Sequence, residues 1–226
     1  MVTARARWRW WVLPGAAVAV WALLHTGHGP APGAAPQPSG TTSTAPDVTP
    51  SATPDGEPTA PRPDGAYDPA DCAAAVRTYA TAAGVHPQLL MAILYNEGYK
   101  PHDPALERAW QRYKPDAAFG IANMHRAAFD EVRRGRDFAD RKWEELPDDR
   151  KLAVEAAAWY LHDLDRRLPA RRPAGYSRDD LLALGYNAGA GNMLAFAHGT
   201  APGAQARSYL DRLHANWAQA GRAVAR

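Results

Sequence analysis

Ten of the chain's twenty prolines fall between Pro30 and Pro63, among Thr, Ser, Ala and Gly. Proline withholds a backbone N–H from helix and sheet, and this stretch has almost no large apolar side chain to bury. It cannot supply a core, so residues 29–66 are expected to be a disordered, extended linker. Its composition gives an average reach of some tens of ångströms. Folding is thereby confined to residues 67–226, a length suited to one domain with its own core.

Residues 1–28 are of a different kind. Arg5, Arg7 and Arg9 precede an uncharged, mostly apolar run over 11–24. That is the pattern of an export signal, shorter than the roughly 20 residues a membrane span wants. Trp8, Trp10 and Trp11 extend it with interfacial residues. Two readings stay open. The small residues Gly33-Ala34-Ala35 suit cleavage, but they lie beyond the apolar run and precede Pro36, which suits a retained anchor. In both, the basic end stays inside and the remainder is extracytoplasmic.

Several chemistries are excluded early. The net charge of +2 leaves no basic stripe for nucleic acid. The lone Cys72 has no second thiol to pair with and no patterned base beside it. There is no G-x-S-x-G elbow and no phosphate-binding glycine loop followed by lysine. No histidine pair brackets a glutamate at helical spacing, and His86, His102 and Asp103 are the nearest approach to a ligand set. No metal and no cofactor is expected.

From Tyr67 on, the periodicity is helical and no segment alternates as a strand would, so the domain reads as all-α. Asp68-Pro69 opens an Ala-rich helix ending at Gly84. A second helix starts near Pro87, carries Leu89, Leu90, Ile93 and Leu94 at core spacing, and ends on Glu97 before Gly98. Residues 99–117 read as a loop with one helical turn at 105–111. Residues 118–124 form a glycine-containing apolar turn before a helix over 125–134. Asp148 to Leu168 forms a long helix whose apolar stripe includes Tyr160 and Leu161. Ser177 and Asp180 mark a capping box for a helix reaching Tyr186. A Gly-rich turn, a short helix to Ala197, and a last amphipathic helix over 204–220, with Tyr209 inward, complete the chain.

Glu97 has two readings. An acid at a helix end is commonly a solvated surface residue. An acid with apolar packing behind it and an opening in front can hold its proton near neutral pH and act as a general acid. Tyr186 and Asn187 are likewise either an ordinary helix end or a pair facing a cleft, where phenol and amide hydrogen-bond sugar hydroxyls and N-acetyl groups. Tyr160 reads first as core.

Four segments, in order, resemble the lytic transglycosylases of the soluble type, whose fold is that of goose-type lysozyme. YATAAGVHPQLLMAILYNEG, residues 79–98, is similar to the family's opening motif, which ends on the catalytic glutamate. Phe119-Gly120-Ile121-Ala122-Asn123 resembles its Gly-Leu-Met-Gln turn. Ala157-Ala158-Trp159-Tyr160-Leu161 resembles its buried-helix motif. Leu184 to Gly191 resembles its Ala-Tyr-Asn-Ala-Gly-Pro-Gly motif, and Arg207-Ser208-Tyr209-Leu210 its late helix. There are departures. Gly98 stands where the family usually has Ser, Ala122-Asn123 where it has Met-Gln, Gly185 where it has Ala, and Gln205 where many members have an acid. The span from Glu97 to Gly120 is also longer.

The resemblance implies a lysozyme-like fold and cleavage of the MurNAc–GlcNAc β-1,4 bond of peptidoglycan with a 1,6-anhydro product. Glu97 would be acid and base, and Asn123, Tyr160, Tyr186 and Asn187 would bind substrate. The implied partner is the glycan strand, for a monomer secreted or anchored facing the cell wall. Two alternatives follow from the same segments. One is a lysozyme-type hydrolase, for which Asp103, Glu107 and Asp116 are the candidate second carboxylates. The other is a wall-binding domain without activity.

Overall fold

The computed structural model describes residues 67–99, 102–171 and 175–225. The expected signal or anchor over 1–28 and the linker over 29–66 lie outside the described residues. Among the described residues the chain is mostly helical, as the periodicity predicts, and no helix is long and apolar enough to cross a membrane.

A 3₁₀ turn over Pro69–Cys72 starts the domain, with the Asp68 carboxylate accepting from the Ala70 N–H. Helix α1 (Ala73–Ala83) ends at Gly84 in the left-handed conformation, φ 68°, which glycine adopts without steric cost. Helix α2 (Pro87–Glu97) follows with proline in its first turn. It is the centre of the described helices. Leu89 through Leu94 are buried without a break, because α2 packs on α1, α6 (Arg178–Ala188) and, most extensively, α8 (Ala204–Val224). A helix apolar on all sides can only be stable when it is enclosed.

Residues 102–117 hold more helix than the prolines of this segment predict. Asp103 caps a helix of ten residues, α3 (Pro104–Tyr113), accepting from the N–H groups of Ala105 and Leu106. Pro104 occupies the first turn, where a missing N–H costs nothing, so the prolines punctuate this helix instead of preventing it.

The apolar turn at 118–124 is a small β-hairpin. β1 (Ala118–Phe119) pairs antiparallel with β2 (Met124–His125). Two residues per strand are too few to show an alternating pattern, which is why periodicity misses them. Between the strands, Gly120 has φ 71° and Asn123 φ 49°. Both are residue types that tolerate the left-handed region. A Cβ on Gly120 would also lie 2.8 Å from the Leu146 carbonyl oxygen, so this glycine is required twice over.

Helices α4 (Arg126–Val132) and α5 (Arg150–Asp165) cover the other side of the core, α5 packing against α1, α4 and α6. The box predicted at α6 is present, with Ser177 and Asp180 exchanging hydrogen bonds at 3.0 and 2.9 Å. The expected Gly-rich turn after Tyr186 is much shorter than predicted. α6 runs to Ala188, α7 (Ala190–Ala197) begins at once, and Gly189 alone, at φ 85°, makes the break. Alanines on both sides favour helix, so one left-handed glycine suffices to redirect the chain.

Candidate active site

Glu97 lies at the last turn of α2, 6% exposed. Its two carboxylate oxygens are held from opposite sides. Oε2 accepts from the Asn123 side-chain amide at 2.9 Å, and Oε1 from the Tyr209 hydroxyl at 3.0 Å. The two hydrogen bonds fix the carboxyl in one rotamer.

Each holder is itself held. Asn123 sits at the end of the hairpin turn, where its N–H bonds to the Gly120 carbonyl at 2.8 Å. The turn is gripped from below by Tyr186, whose hydroxyl donates to the Ala122 carbonyl at 2.6 Å. That proton is committed to the backbone of the turn, so Tyr186 serves to place Asn123. Tyr160 packs edge-on against Tyr186 with ring centroids 5.6 Å apart. Tyr209 is buried on α8. Burial first, and then the facing Glu97 carboxylate, push its phenol well above the ordinary tyrosine range, so it remains a donor. The same two influences, in the same order, raise Tyr186 and the exposed Tyr99 nearby. Asn96, buried beside Glu97, donates to the Tyr209 carbonyl and accepts from Asn216, which locks the end of α2 to α8.

In front of Glu97 is a cavity of about 570 Å³ lined in part by Tyr95, Tyr99, Asn123, Asn187, Gln205 and Arg212. A neighbouring cavity of about 390 Å³ is lined by Tyr160, Tyr186 and Glu131 and shares Asn123 and Asn187 with the first. The two residues form the sill between adjoining compartments of one groove. Asn187 projects there exposed from the last turn of α6.

All five residues singled out in the sequence therefore border this groove. Glu97 and Asn123 are in direct contact, Asn187 shares their cavity, and Tyr186 and Tyr160 line the next one. Tyr209 was read only as an inward residue of the last helix, and its hydrogen bond to Glu97 is the contact that sequence reasoning missed. The signal available was a phenol on a buried face, which needs a polar partner somewhere. His86, His102 and Asp103 do not act together. His86 faces Asp179, His102 faces Glu107, and Asp103 caps α3. Among the described residues there is no cluster of three metal-ligating side chains.

Two of the departing glycines have local reasons. A Cβ on Gly185 would meet Met193 of α7 at 2.7 Å from sulfur and 3.1 Å from Cβ, so alanine there requires the Met193 side chain to shift. A Cβ on Gly98 would stand 3.2 Å from the Leu94 carbonyl oxygen and 3.4 Å from Pro69, a tight but less restrictive fit. Comparison with family models, curated proteins and solved structures gave no match.

Proposed function

We propose that this domain is a peptidoglycan lytic transglycosylase with Glu97 as its single acid and base. The observation that carries the reading is the isolation of that acid. Among the described residues lining its cavity, Glu97 is the one carboxyl group, and Glu131 lines only the adjoining compartment, beyond Asn123 and Asn187. An inverting hydrolase places a second carboxylate across the bond to activate water. The three candidates have other positions: Asp103 caps α3, Glu107 is bonded to His102 and the Gly120 N–H, and Asp116 lies exposed outside this cavity.

One carboxyl serves a reaction in which the second nucleophile belongs to the substrate. Glu97 gives its proton to the glycosidic oxygen as the C1–O bond breaks. The resulting carboxylate takes the proton of the muramoyl 6-hydroxyl, whose oxygen closes on C1. No water is consumed, the 1,6-anhydro ring forms, and the acid returns to its starting state. Tyr209 and Asn123 hold the carboxylate at the moment it is charged, an electrostatic role that needs no rearrangement. Asn187 and the tyrosines of the adjoining compartment offer an amide and ring faces to the sugars.

The test is digestion of purified peptidoglycan followed by mass spectrometry. The expected product ends are one water lighter than reducing ends, and Glu97→Gln abolishes release while keeping the helical circular dichroism spectrum. Reducing ends would identify a hydrolase. Wall binding with no released product would identify a binding domain.

A further inference from the structure

Beneath the groove lies a second polar chain that the reaction as described does not use. His102 is almost fully buried, with its side chain 3% exposed, and Glu107 is 15% exposed. The Glu107 carboxylate spans two elements. Its Oε1 meets His102 Nδ1 at 2.9 Å, and its Oε2 accepts from the Gly120 N–H at 2.7 Å. The other ring nitrogen of His102, Nε2, lies 3.3 Å from the Glu97 carbonyl oxygen. Both ring nitrogens thus face acceptors, and the ring donates to both only when both carry protons. The edge of the Tyr67 ring packs against His102 at 5.4 Å between centroids. His102 itself has φ 46°, a left-handed conformation that a β-carbon makes costly and that surrounding contacts must hold.

The chain runs from the backbone of Glu97, through His102 and Glu107, to the first residue of the hairpin turn. The last residue of that turn is Asn123, which donates to the Glu97 side chain. The same acid is therefore bracketed twice across one gap, once by its carboxylate and once by its carbonyl. We propose that Glu107, acting through His102 and the Gly120 N–H, is a positioning residue that sets the distance between the end of α2 and the turn carrying Asn123. It thereby fixes the Asn123–Glu97 hydrogen bond. This rests on the reading of Glu97 as the acid. Glu107 does not touch the reacting atoms in this role. Its effect is on the chemical step, because a small misplacement of a catalytic group costs rate more than binding.

Two readouts on the whole chain test the assignment. In Glu107→Ala, kcat on a glycan-strand substrate is expected to fall roughly 10- to 100-fold with KM within about two-fold of wild type. Glu107→Gln, which keeps an acceptor for Gly120 and gains a donor for His102, is expected to recover most of the loss. The second readout needs no activity. With ¹⁵N-labelled asparagine, the Asn123 side-chain amide resonance in Glu107→Ala is expected to move toward its position in Glu97→Ala, where the acceptor is gone. Should Glu107→Ala not fold, His102→Asn carries both measurements, since asparagine tolerates the left-handed backbone but is too short to bridge. An unmoved amide, or a kcat within about two-fold of wild type while Glu97→Gln is inactive, overturns the positioning role. A wild-type chain that yields no anhydro product sinks the transglycosylase reading instead, and the amide shift alone then decides the bracket.

Discussion

Helices α2 and α3 are alike in length, with 11 and 10 residues, and both begin with proline. Their surroundings are opposite. Eight residues of α2 are buried, including Glu97, whereas in α3 only Gln111 is. Leu106, Trp110 and Tyr113 of α3 are 66%, 54% and 76% exposed, and with Phe119 they flank a depression of about 440 Å³ separate from the Glu97 cavity. α3 turns its large apolar side chains outward and Glu107 and Gln111 inward, with Glu107 on the hairpin turn, while the exposed Arg108 pairs with Asp148. The lesson is a division of labour. The acid rides on a helix that packing immobilises, and a helix held by a few polar links reaches across to brace the facing turn.

That contrast can be broken most severely from within α2. Ile93→Ala removes fully buried atoms from a helix enclosed on all sides and is expected to cost about 2–5 kcal/mol by denaturant titration. A loss below about 1 kcal/mol would mean that α2 is not the rigid mount described. Next comes Tyr209→Phe, which removes one donor from Glu97 and leaves the packing of α8. Turnover is expected to fall about 10- to 100-fold, equivalent to roughly 1.4–2.7 kcal/mol in the barrier, and folding stability by about 1–3 kcal/mol because the buried Glu97 Oε1 loses its donor. Equal turnover would show that Asn123 alone positions the acid. Gly185→Ala probes the tight side again, at the α6–α7 contact with Met193, and is expected to destabilise by about 1–3 kcal/mol through overpacking. A thermal midpoint equal to wild type would show that Met193 yields easily. The smallest effect belongs to α3. Leu106→Ala, at an exposed site, is expected to change stability by no more than about 0.5 kcal/mol. A change above 1 kcal/mol would reveal packing of α3 that its exposure does not suggest.

Much of the frame was legible beforehand because its signals are local. The unbroken apolar run of α2, the stripe of α5, the Ser177–Asp180 box, the stop at Gly84 and the acid at the end of α2 each depend on residues a few positions apart. The hairpin, the short break at Gly189 and the full length of α3 were not legible. Two-residue strands carry no period, one glycine among alanines does not reveal how far a turn extends, and prolines in a first turn look like prolines in a loop.

Residue order alone thus determined that the part from Tyr67 on is mostly helical, and that Glu97 sits at the end of a helix with a buried face. What that acid touches was decided by the tertiary structure. Tyr209 lies 112 positions away in sequence and Asn123 lies 26, and no propensity or periodicity links residues at such separations. They meet because α8 and the hairpin turn both close on the last turn of α2. Beneath them, His102 and Glu107 link the Glu97 carbonyl to the Gly120 N–H. Buried polar groups must find partners when water is excluded, and only the packed chain determines which ones are within reach.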